Sequence, residues 1–357
     1  MPAPLRLRLR RGLTLGPRGR VRELVHHGYK VRACLRDGSS WRGEDAIQYL
    51  EKLPGVEIVT GCDLFVPGSY DAAFAGCVGV FHVAAVLGNS AGEGAQPNGS
   101  GDRGKDTYDG GMTGTQNVVD AINKSGTVRR LVYTSSTSAV QNATKGEGHE
   151  WTETDWASDG HDTSSKAWQT NWYGRSKVDT EHLINAAAAA SDSWDCVTMN
   201  PAMICGPILF AAQNGQWIEN IGKLAEGSYS GEDRNYNIID VRDLCAGHRL
   251  AMESTVDHVH THGGNRYIMH GTGNVNTAGA LRFGTEVADM ISTFFPSFGV
   301  GSPEAPSAGV PPSTQINDSK KAKELLGASL RPIEETIRDC VESAIELGLI
   351  TPKLASL

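Results

Sequence analysis

The chain has 357 residues, of which 39% are hydrophobic and 21% are charged, and its formal net charge is −8. This length can bury a sizeable core, either as one large domain or as a domain with a smaller lobe. The excess of acid argues against nucleic acid as a partner, and no apolar run approaches the roughly 20 residues of a membrane span. We therefore expect a globular protein with neither a nucleic-acid nor a membrane partner.

The seven cysteines are dispersed and odd in number, which is typical of a reducing compartment rather than of a disulfide framework. We therefore expect a cytoplasmic protein. The first 22 residues hold seven arginines and no acid, as organelle-targeting peptides do. They are poor in serine and lead directly into core-like sequence, so targeting is the less favoured alternative.

Short apolar runs bounded by turn residues predict a series of strands. In chain order these are Tyr29–Leu35, Val56–Val59, Cys77–Ala85, Arg130–Ser136 and Cys196–Met199. Helices are predicted to end at His27 and to span residues 43–53, 69–75 (capped by Ser69), 112–122 and 173–190. Residues 89–105 and 145–170 are predicted to be loops. Strand and helix alternating at this spacing predict a parallel sheet with helices on both faces.

The alternation loosens after Pro207, which predicts a smaller C-terminal lobe. Strands are expected at Tyr236–Val241 and Tyr267–Met269, and helices over 241–252, 278–295, 319–326 and 333–347. His258, His260 and His262 would lie on one face of a strand and could hold a metal ion. No acid or cysteine clusters with them, so a hydrophilic loop is favoured.

Several candidate binding groups directly follow predicted strands. They are Arg36, Asp63, Ala84-Ala85, Ser136 and Pro201. Ligands of open parallel sheets bind at the carboxyl ends of the strands, where all these residues would meet. The sequence therefore predicts a binding site at that edge.

Tyr173 and Lys177 are four residues apart, so on a helix they leave the same face. A nearby ammonium favours the phenolate and lowers the pKa of a tyrosine, which allows proton transfer to or from a carbonyl or alcohol oxygen. A surface helix would show the same spacing by chance. The hydroxyl-rich strand end before it and the ordered βα series favour the catalytic interpretation.

The ordered motifs resemble those of the extended short-chain dehydrogenase/reductases, in the branch of dihydroflavonol and cinnamoyl-CoA reductases. The similarity runs from about Glu23 to the C-terminus. It is carried by Gly28–Ala33, Asp63-Leu64, Val80–Ala84, Gly114-Thr115-x-Asn117-Val118, Tyr133–Ser136, Tyr173-x-x-Ser176-Lys177, Asn200-Pro201, Gly206-Pro207 and Ile239–Cys245. The resemblance implies a Rossmann-type doubly wound α/β fold with a smaller substrate lobe. It assigns residues 1–207 and 236–270 to the dinucleotide-binding domain, and 208–235 and 271–357 to the lobe.

The resemblance also implies roles for single residues. Tyr173 would protonate the carbonyl oxygen, Lys177 would lower its pKa and hold the nicotinamide ribose, and Ser136 would polarise the substrate oxygen. Ser135, Thr137 and Ser138 are neighbours with similar side chains. The cofactor would contact Asp63, Leu64, Val83, Ala84, Ala85 and Pro201. The partner would be a small-molecule carbonyl substrate, and the protein would be a monomer or homodimer.

Arg36 ends the second predicted strand, where an acid would bind the ribose hydroxyls of NAD and an arginine can pair with the 2′-phosphate of NADP. NADP(H) is therefore favoured, while Asp37 keeps NAD(H) open. Asn171-Trp172-Tyr173 matches the start of a cinnamoyl-CoA reductase motif that Gly174 and Arg175 do not continue. Trp151, Trp156, Trp168 and Trp172 either line an aromatic pocket or pack in the core.

The chain departs from the family at the glycine-rich turn that should meet the pyrophosphate. Pro17 stands where the last motif glycine belongs, and Gly12, Gly16 and Gly19 are out of register. The preceding segment alternates leucine and arginine, whereas a central parallel strand is apolar on both faces. We therefore expect that residues 1–22 are not the native first βα unit and that the cofactor binds weakly.

Three functions remain open. The first is NADP(H)-dependent reduction of an aldehyde, ketone or dihydroflavonol-like substrate by a Ser-Tyr-Lys mechanism. The second is an NAD-dependent epimerase or dehydratase acting on a nucleotide sugar, which would use the same tyrosine and lysine. The third is a non-catalytic dinucleotide-binding protein, which the altered glycine turn would favour.

Overall fold

The fold is taken from a computed structural model of the chain. It describes residues 6–9, 16–36, 47–83, 102–142, 145, 149–160, 164–213, 215–231, 235–255, 265–271, 281–282, 284–301, 316–317, 320–327 and 330–352. The strands are β1 Arg6–Leu9, β2 Lys30–Cys34, β3 Val56–Val59, β4 Gly79–His82, β5 Arg130–Thr134, β6 Glu150–Trp151, β7 Asp195–Pro201, β8 Met203–Cys205, β9 Asn235–Tyr236, β10 Ile238–Asp240, β11 Arg266–Met269, β12 Leu281–Arg282 and β13 Ile316–Asn317.

The α-helices are α1 Gly16–His26, α2 at residues 47–51, α3 Asp71–Phe74, α4 Arg103–Ser125, α5 Lys166–Thr170, α6 Trp172–Ala189, α7 Gln216–Ala225, α8 Val241–Glu253, α9 Thr285–Phe294, α10 Lys320–Leu326 and α11 Ile333–Glu346. Helix α1 ends before Gly28, whose φ of 81° suits a residue without a side chain.

Two parallel ladders form the central layer. One has the order β1-β2-β3 and the other the order β11-β7-β5-β4. Strand β1 also contacts β4, so the layer runs β3-β2-β1-β4-β5-β7-β11. The direction of strand order reverses between β1 and β4, which is where an open parallel sheet opens a crevice for a ligand.

Alternate strand residues enter two different hydrophobic clusters, so both faces of the layer are covered. On β5, Val132 packs with α1 and α8, whereas its neighbours Leu131 and Tyr133 pack with α3, α4 and α6. A third cluster joins α7, α9 and α11 to β8 and β10. The predicted doubly wound α/β class is confirmed. The domain boundaries stay predictions.

Several predicted element boundaries were wrong. Ser69 does not cap α3, because its hydroxyl donates to the Asp63 carbonyl at 2.6 Å and accepts from the Asp63 amide at 3.0 Å. Helix α4 begins at Arg103, inside a predicted loop, because the Asp102 carboxylate accepts the Gly104 and Lys105 amides. The strand β12 lies inside a segment predicted as helix, and helix α7 was not predicted.

Candidate active site

Tyr173 and Lys177 lie one turn apart on α6, which positions both side chains on the same face. The helix starts directly before Tyr173 because the Asn171 side chain accepts the Gly174 amide at 3.2 Å. The Lys177 ammonium lies 5.9 Å from the centre of the Tyr173 ring. Lys177 is 5% exposed and Tyr173 is 37% exposed, so Lys177 lies in the core while part of Tyr173 reaches the surface.

Ser136 reaches Tyr173 from the end of β5. Its hydroxyl accepts the Ser138 amide at 3.1 Å, which starts the short 3-10 turn Thr137–Ala139, and it lies near enough to the Tyr173 hydroxyl to lower the pKa of that phenol. Ser135 instead turns its hydroxyl into the core, where it meets no partner among the described residues. The structure thus brings together Ser136, Tyr173 and Lys177, whereas the Ser135 hydroxyl lies in the core.

The electrostatics of Tyr173 differ from the sequence-based expectation. Burial of the hydroxyl raises the pKa of Tyr173, and the hydrogen bond with Ser136 opposes that shift. The Lys177 ammonium directs its hydrogen bonds to the Thr134 carbonyl at 3.1 Å and the Tyr133 hydroxyl at 3.5 Å rather than to the Tyr173 hydroxyl. Tyr173 is therefore a protonated phenol at neutral pH, as a proton donor must be.

Lys177 is a buried ammonium with a lowered pKa. Burial lowers the pKa of Lys177 to about 8, and the carboxylate of Glu181 opposes this shift. An ammonium has three N–H donors, and the described residues offer it the Thr134 carbonyl and the Tyr133 hydroxyl. One donor direction is therefore left for a ligand hydroxyl, which suits a ribose of a bound dinucleotide.

The other predicted cofactor residues follow strands at the same edge of the layer. Leu64 follows β3 and is fixed there, because Asn117 donates to its carbonyl at 2.6 Å. A Cβ on Gly114 would lie 2.8 Å from the Leu64 side chain, so α4 can approach this closely only with a glycine. Asp63 uses its carboxylate to accept the Phe65 amide at 2.9 Å.

Val83 follows β4 and is buried, Arg36 follows β2 and is half-buried, and Pro201 ends β7. Their positions fit a dinucleotide lying across the strand ends. Ala84, Ala85 and Asp37 lie outside the described residues.

The N-terminal unit has a βα topology, although its alternation of leucine and arginine argued against one. Leu7 of β1 pairs with Val31 of β2, and α1 follows. Residues 10–15, which join the two elements, lie outside the described part of the chain. Pro17 is in the first turn of α1 and carries no N–H, so the helix offers one amide fewer to an anion. The ribose end of the site therefore fits a dinucleotide better than the phosphate end does.

Arg20 is the least expected side chain of α1. It is 1% exposed, and none of its three guanidinium nitrogens has a hydrogen-bond partner among the described residues. Burial lowers the pKa of Arg20 to about 10. The adjacent Cys245 thiol is neutral, since burial raises its pKa to about 12, and burial lowers the pKa of His248. Neither group supplies the missing negative charge.

Three side chains to which the sequence analysis assigned no role complete the surroundings of Ser136 and Lys177. Glu181, Asn200 and Arg266 are fully buried and hydrogen-bonded to one another. Glu181 continues the spacing of Tyr173 and Lys177 by one further turn of α6, which was the available signal. Arg266 lies in the last strand of the layer and had no recognisable spacing to the motif.

The tryptophans before α6 serve mainly in packing. Trp151 and Trp168 are buried in separate hydrophobic clusters, and Trp156 stacks on His182 at 4.2 Å between ring centres. Trp172 contacts Gly104, where a Cβ would lie 2.1 Å from the indole ring. These contacts favour the packing interpretation for the first three.

The remaining predictions have mixed outcomes. All seven cysteines are buried and free, as expected for a chain without disulfides. His258, His260 and His262 lie outside the described residues, and the described part of the chain holds no group of three potential metal ligands. No described helix is long and apolar enough to cross a membrane.

Comparison with known proteins agrees with the motifs. Residues 18–265 match the model of the NAD dependent epimerase/dehydratase family. Cinnamoyl-CoA reductase CAD2 of Medicago truncatula is 27% identical over 333 residues, or 91% of each chain. The bifunctional dihydroflavonol 4-reductase/flavanone 4-reductase of Pyrus communis is 29% identical over 64% of this chain and 62% of its own.

Solved structures show the same fold. Gre2 of Candida albicans, crystallised with NADPH, superposes with a TM-score of 0.76 at 21% identity, over 96% of this chain and 99% of its own. Vestitone reductase of alfalfa gives a TM-score of 0.70 at 21% identity, over 97% and 99%. The family match begins at residue 18, so it leaves out β1 and the first two residues of α1.

Proposed function

The chain belongs to the NAD dependent epimerase/dehydratase family, and on that premise we propose that it reduces a carbonyl group of a small molecule to an alcohol with NADPH. The observation that carries the proposal is the placement of Ser136 beside the protonated Tyr173, with the Lys177 ammonium 5.9 Å from the tyrosine ring. The relatedness to dihydroflavonol and cinnamoyl-CoA reductases supports a carbonyl substrate.

When bound, NADPH would supply the hydride for the carbonyl carbon. Tyr173 donates its phenolic proton to the carbonyl oxygen, and Ser136 donates a hydrogen bond that stabilises negative charge on that oxygen. Lys177 would hold the nicotinamide ribose with its remaining N–H and would stabilise the phenolate that Tyr173 becomes. Arg36, Asp63, Leu64, Val83 and Pro201 would line the cofactor.

A cofactor-consumption screen tests the proposal. The purified protein is incubated with NADPH and with aldehydes, ketones, dihydroflavonols or acyl-CoA thioesters, and absorbance at 340 nm is followed. We expect oxidation of NADPH with at least one carbonyl class. Activity on UDP- or GDP-sugars with tightly retained NAD would instead support an epimerase or dehydratase.

We expect Arg36→Ala to reduce the preference for NADPH over NADH. Arg36 stands at the end of β2, where its guanidinium could pair with the 2′-phosphate. A charge-assisted hydrogen bond of about 1.5–3 kcal/mol corresponds to a roughly 10- to 150-fold loss of NADPH affinity with NADH affinity almost unchanged. Isothermal titration with both cofactors measures the ratio. An equal loss of affinity for NADPH and NADH would contradict the pairing of Arg36 with the 2′-phosphate.

We also expect the chain to bind NADPH weakly, with a Kd above about 0.1 mM. Pro17 removes an amide from the first turn of α1, and the buried Arg20 disfavours the native packing of that helix. A fluorescence titration measures the Kd for this chain and for a Pro17→Gly/Arg20→Val variant, which should bind more tightly. Micromolar binding by the unmodified chain would show that the expected defect does not exist.

A further inference from the structure

A buried ion pair lies directly beneath the Ser136–Tyr173–Lys177 group. The Glu181 carboxylate accepts the Arg266 Nε at 2.8 Å, and neither side chain has exposed surface. Removing two charges from water costs several kcal/mol each, and well-packed apolar residues often stabilise a core equally well. Stability alone is therefore a weak explanation for the charges at this position. Their contacts indicate a role in positioning the residues above them.

Asn200 connects this ion pair to Ser136. Its side-chain amide donates one hydrogen bond to the second carboxylate oxygen of Glu181 at 2.7 Å and another to the Ser136 carbonyl at 3.2 Å. A carboxylate only accepts hydrogen bonds, so Glu181 decides which way the Asn200 amide is turned. That orientation leaves the Asn200 Oδ1 buried without a donor in the described part of the chain.

Arg266 uses its other nitrogens on the segment that follows Ser136. It donates to the carbonyls of Glu153 and Asp155 at 2.9 and 2.6 Å and to the Ala139 carbonyl at 3.3 Å. Ala139 ends the 3-10 turn that begins after Ser136. One guanidinium thus fixes the far end of the turn, while Asn200 fixes its beginning.

We infer that Glu181, Asn200 and Arg266 are positioning residues, which hold the Ser136 turn against α6 so that the Ser136 hydroxyl meets Tyr173. The catalytic meaning of this inference rests on the proposed function. The three residues lie on α6, β7 and β11, so they fix the Ser136 turn relative to the helix that bears Tyr173 and Lys177. None of them touches the reacting atoms.

Glu181 has an electrostatic effect in addition to the geometric one. Its carboxylate raises the pKa of Lys177 against the effect of burial. The titratable groups that face Lys177 from the elements around it are Tyr173 and Glu181 on α6 and Tyr133 on β5. Loss of the Glu181 charge would leave Lys177 with no carboxylate among these groups.

The test is Glu181→Gln in the full chain without cofactor or substrate. Glutamine keeps the size of glutamate but has one acceptor oxygen and one NH2 group. It can accept from Arg266 or from Asn200 but not from both, so Asn200 is released to turn away from the Ser136 carbonyl. Tyrosine labelled with 13C at Cζ and lysine labelled at Cε report the two pKa values by NMR, with Tyr173→Phe and Lys177→Met for assignment.

We expect the Tyr173 titration to move to higher pH, because Tyr173 loses the hydrogen bond of Ser136, and the Lys177 titration to move to lower pH. Asp240→Asn is the matched control, since Asp240 is another buried carboxylate. It forms an ion pair with Arg242 of α8, with 2.7 Å between the carboxylate oxygen and the guanidinium nitrogen. This variant should lower the thermal stability while both titrations stay in place. Unchanged titrations in Glu181→Gln would overturn the inference.

If Glu181→Gln does not fold, a second variant tests the inference. The Glu181→Leu/Arg266→Met double variant removes both charges and leaves no unpaired ion. It is expected to fold and to show the same two shifts, and wild-type titrations in that variant would equally overturn the inference. In any substrate screen that succeeds, kcat should fall about tenfold with NADPH affinity unchanged. A wild-type chain that reduces no carbonyl compound would contradict the proposed function alone, because the titrations need no turnover.

Discussion

We expect the Tyr173→Phe variant to lose carbonyl reduction by about a thousandfold or more while keeping the fold of the parent chain. The substitution removes only the phenolic oxygen, which is the single proton donor assigned to the substrate oxygen. A positioned general acid contributes roughly 10²- to 10⁴-fold. The lost hydrogen bond with Ser136 should cost only about 1 kcal/mol of stability, since such bonds exchange with water on unfolding.

Tyr108→Phe provides a matched control. The Tyr108 hydroxyl donates to Asp179 of the same helix α6 at 2.7 Å, so the variant also removes a phenolic oxygen beside that helix. It should keep turnover within about twofold, since the Tyr108 hydroxyl bonds Asp179 and not Ser136, Tyr173 or Lys177. Steady-state kinetics and circular dichroism on both variants check the prediction. Retained turnover by Tyr173→Phe would remove Tyr173 from the mechanism.

We expect Arg20→Met to stabilise the protein by about 3 kcal/mol. A guanidinium pKa lowered from 12.5 to about 10 corresponds to roughly that free energy, because each unit is worth about 1.4 kcal/mol. Methionine keeps an unbranched chain of similar length in the same helix and needs no polar partner. For 357 residues this gain should raise the Tm by roughly 4 °C.

The pH dependence gives a second check on Arg20. The folded-state pKa of Arg20 lies below the unfolded value. The free-energy cost of burying its charge is therefore present in full below pH 10, and it is relieved only as pH rises from 10 to 12.5. The gain from Arg20→Met should therefore be constant between pH 6 and 9. Arg22→Met, at an exposed position of the same helix, should change stability by less than about 0.5 kcal/mol. A destabilised Arg20→Met variant would mean that the guanidinium has a partner in solution.

Much of the fold was predictable because its signals are local. The strands at Val56–Val59 and Arg130–Thr134 are short apolar runs, and their parallel pairing follows from the helices between them. Tyr173, Lys177 and Ser136 were predictable from a helical spacing and a strand end. Glu181 repeats that helical spacing, whereas the contacts of Asn200 and Arg266 join distant segments, which no spacing in one segment encodes.

The errors have the same origin. Ser69 has the right residue type for a helix cap, but a turn in the tertiary structure offers its hydroxyl the Asp63 backbone instead. The lysine in the Tyr-Lys motif was expected to lower the pKa of Tyr173, yet burial raises that pKa and the lysine donates to Thr134 and Tyr133. In both cases the sequence showed a residue type that suits the role, but it did not show which partner the side chain would contact.

The Glu181–Arg266 ion pair has a consequence for how the chain becomes active during synthesis. Its partners are 85 residues apart, and Arg266 also bonds Ala139, 127 residues before it. A ribosome adds roughly 5–20 residues per second, so a nascent chain carries Tyr173 and Lys177 for on the order of ten seconds before Arg266 exists. The far end of the Ser136 turn is therefore anchored only after the last strand of the central layer has docked. A chain that stops short of Arg266 would keep every residue of the motif and still lack the arrangement.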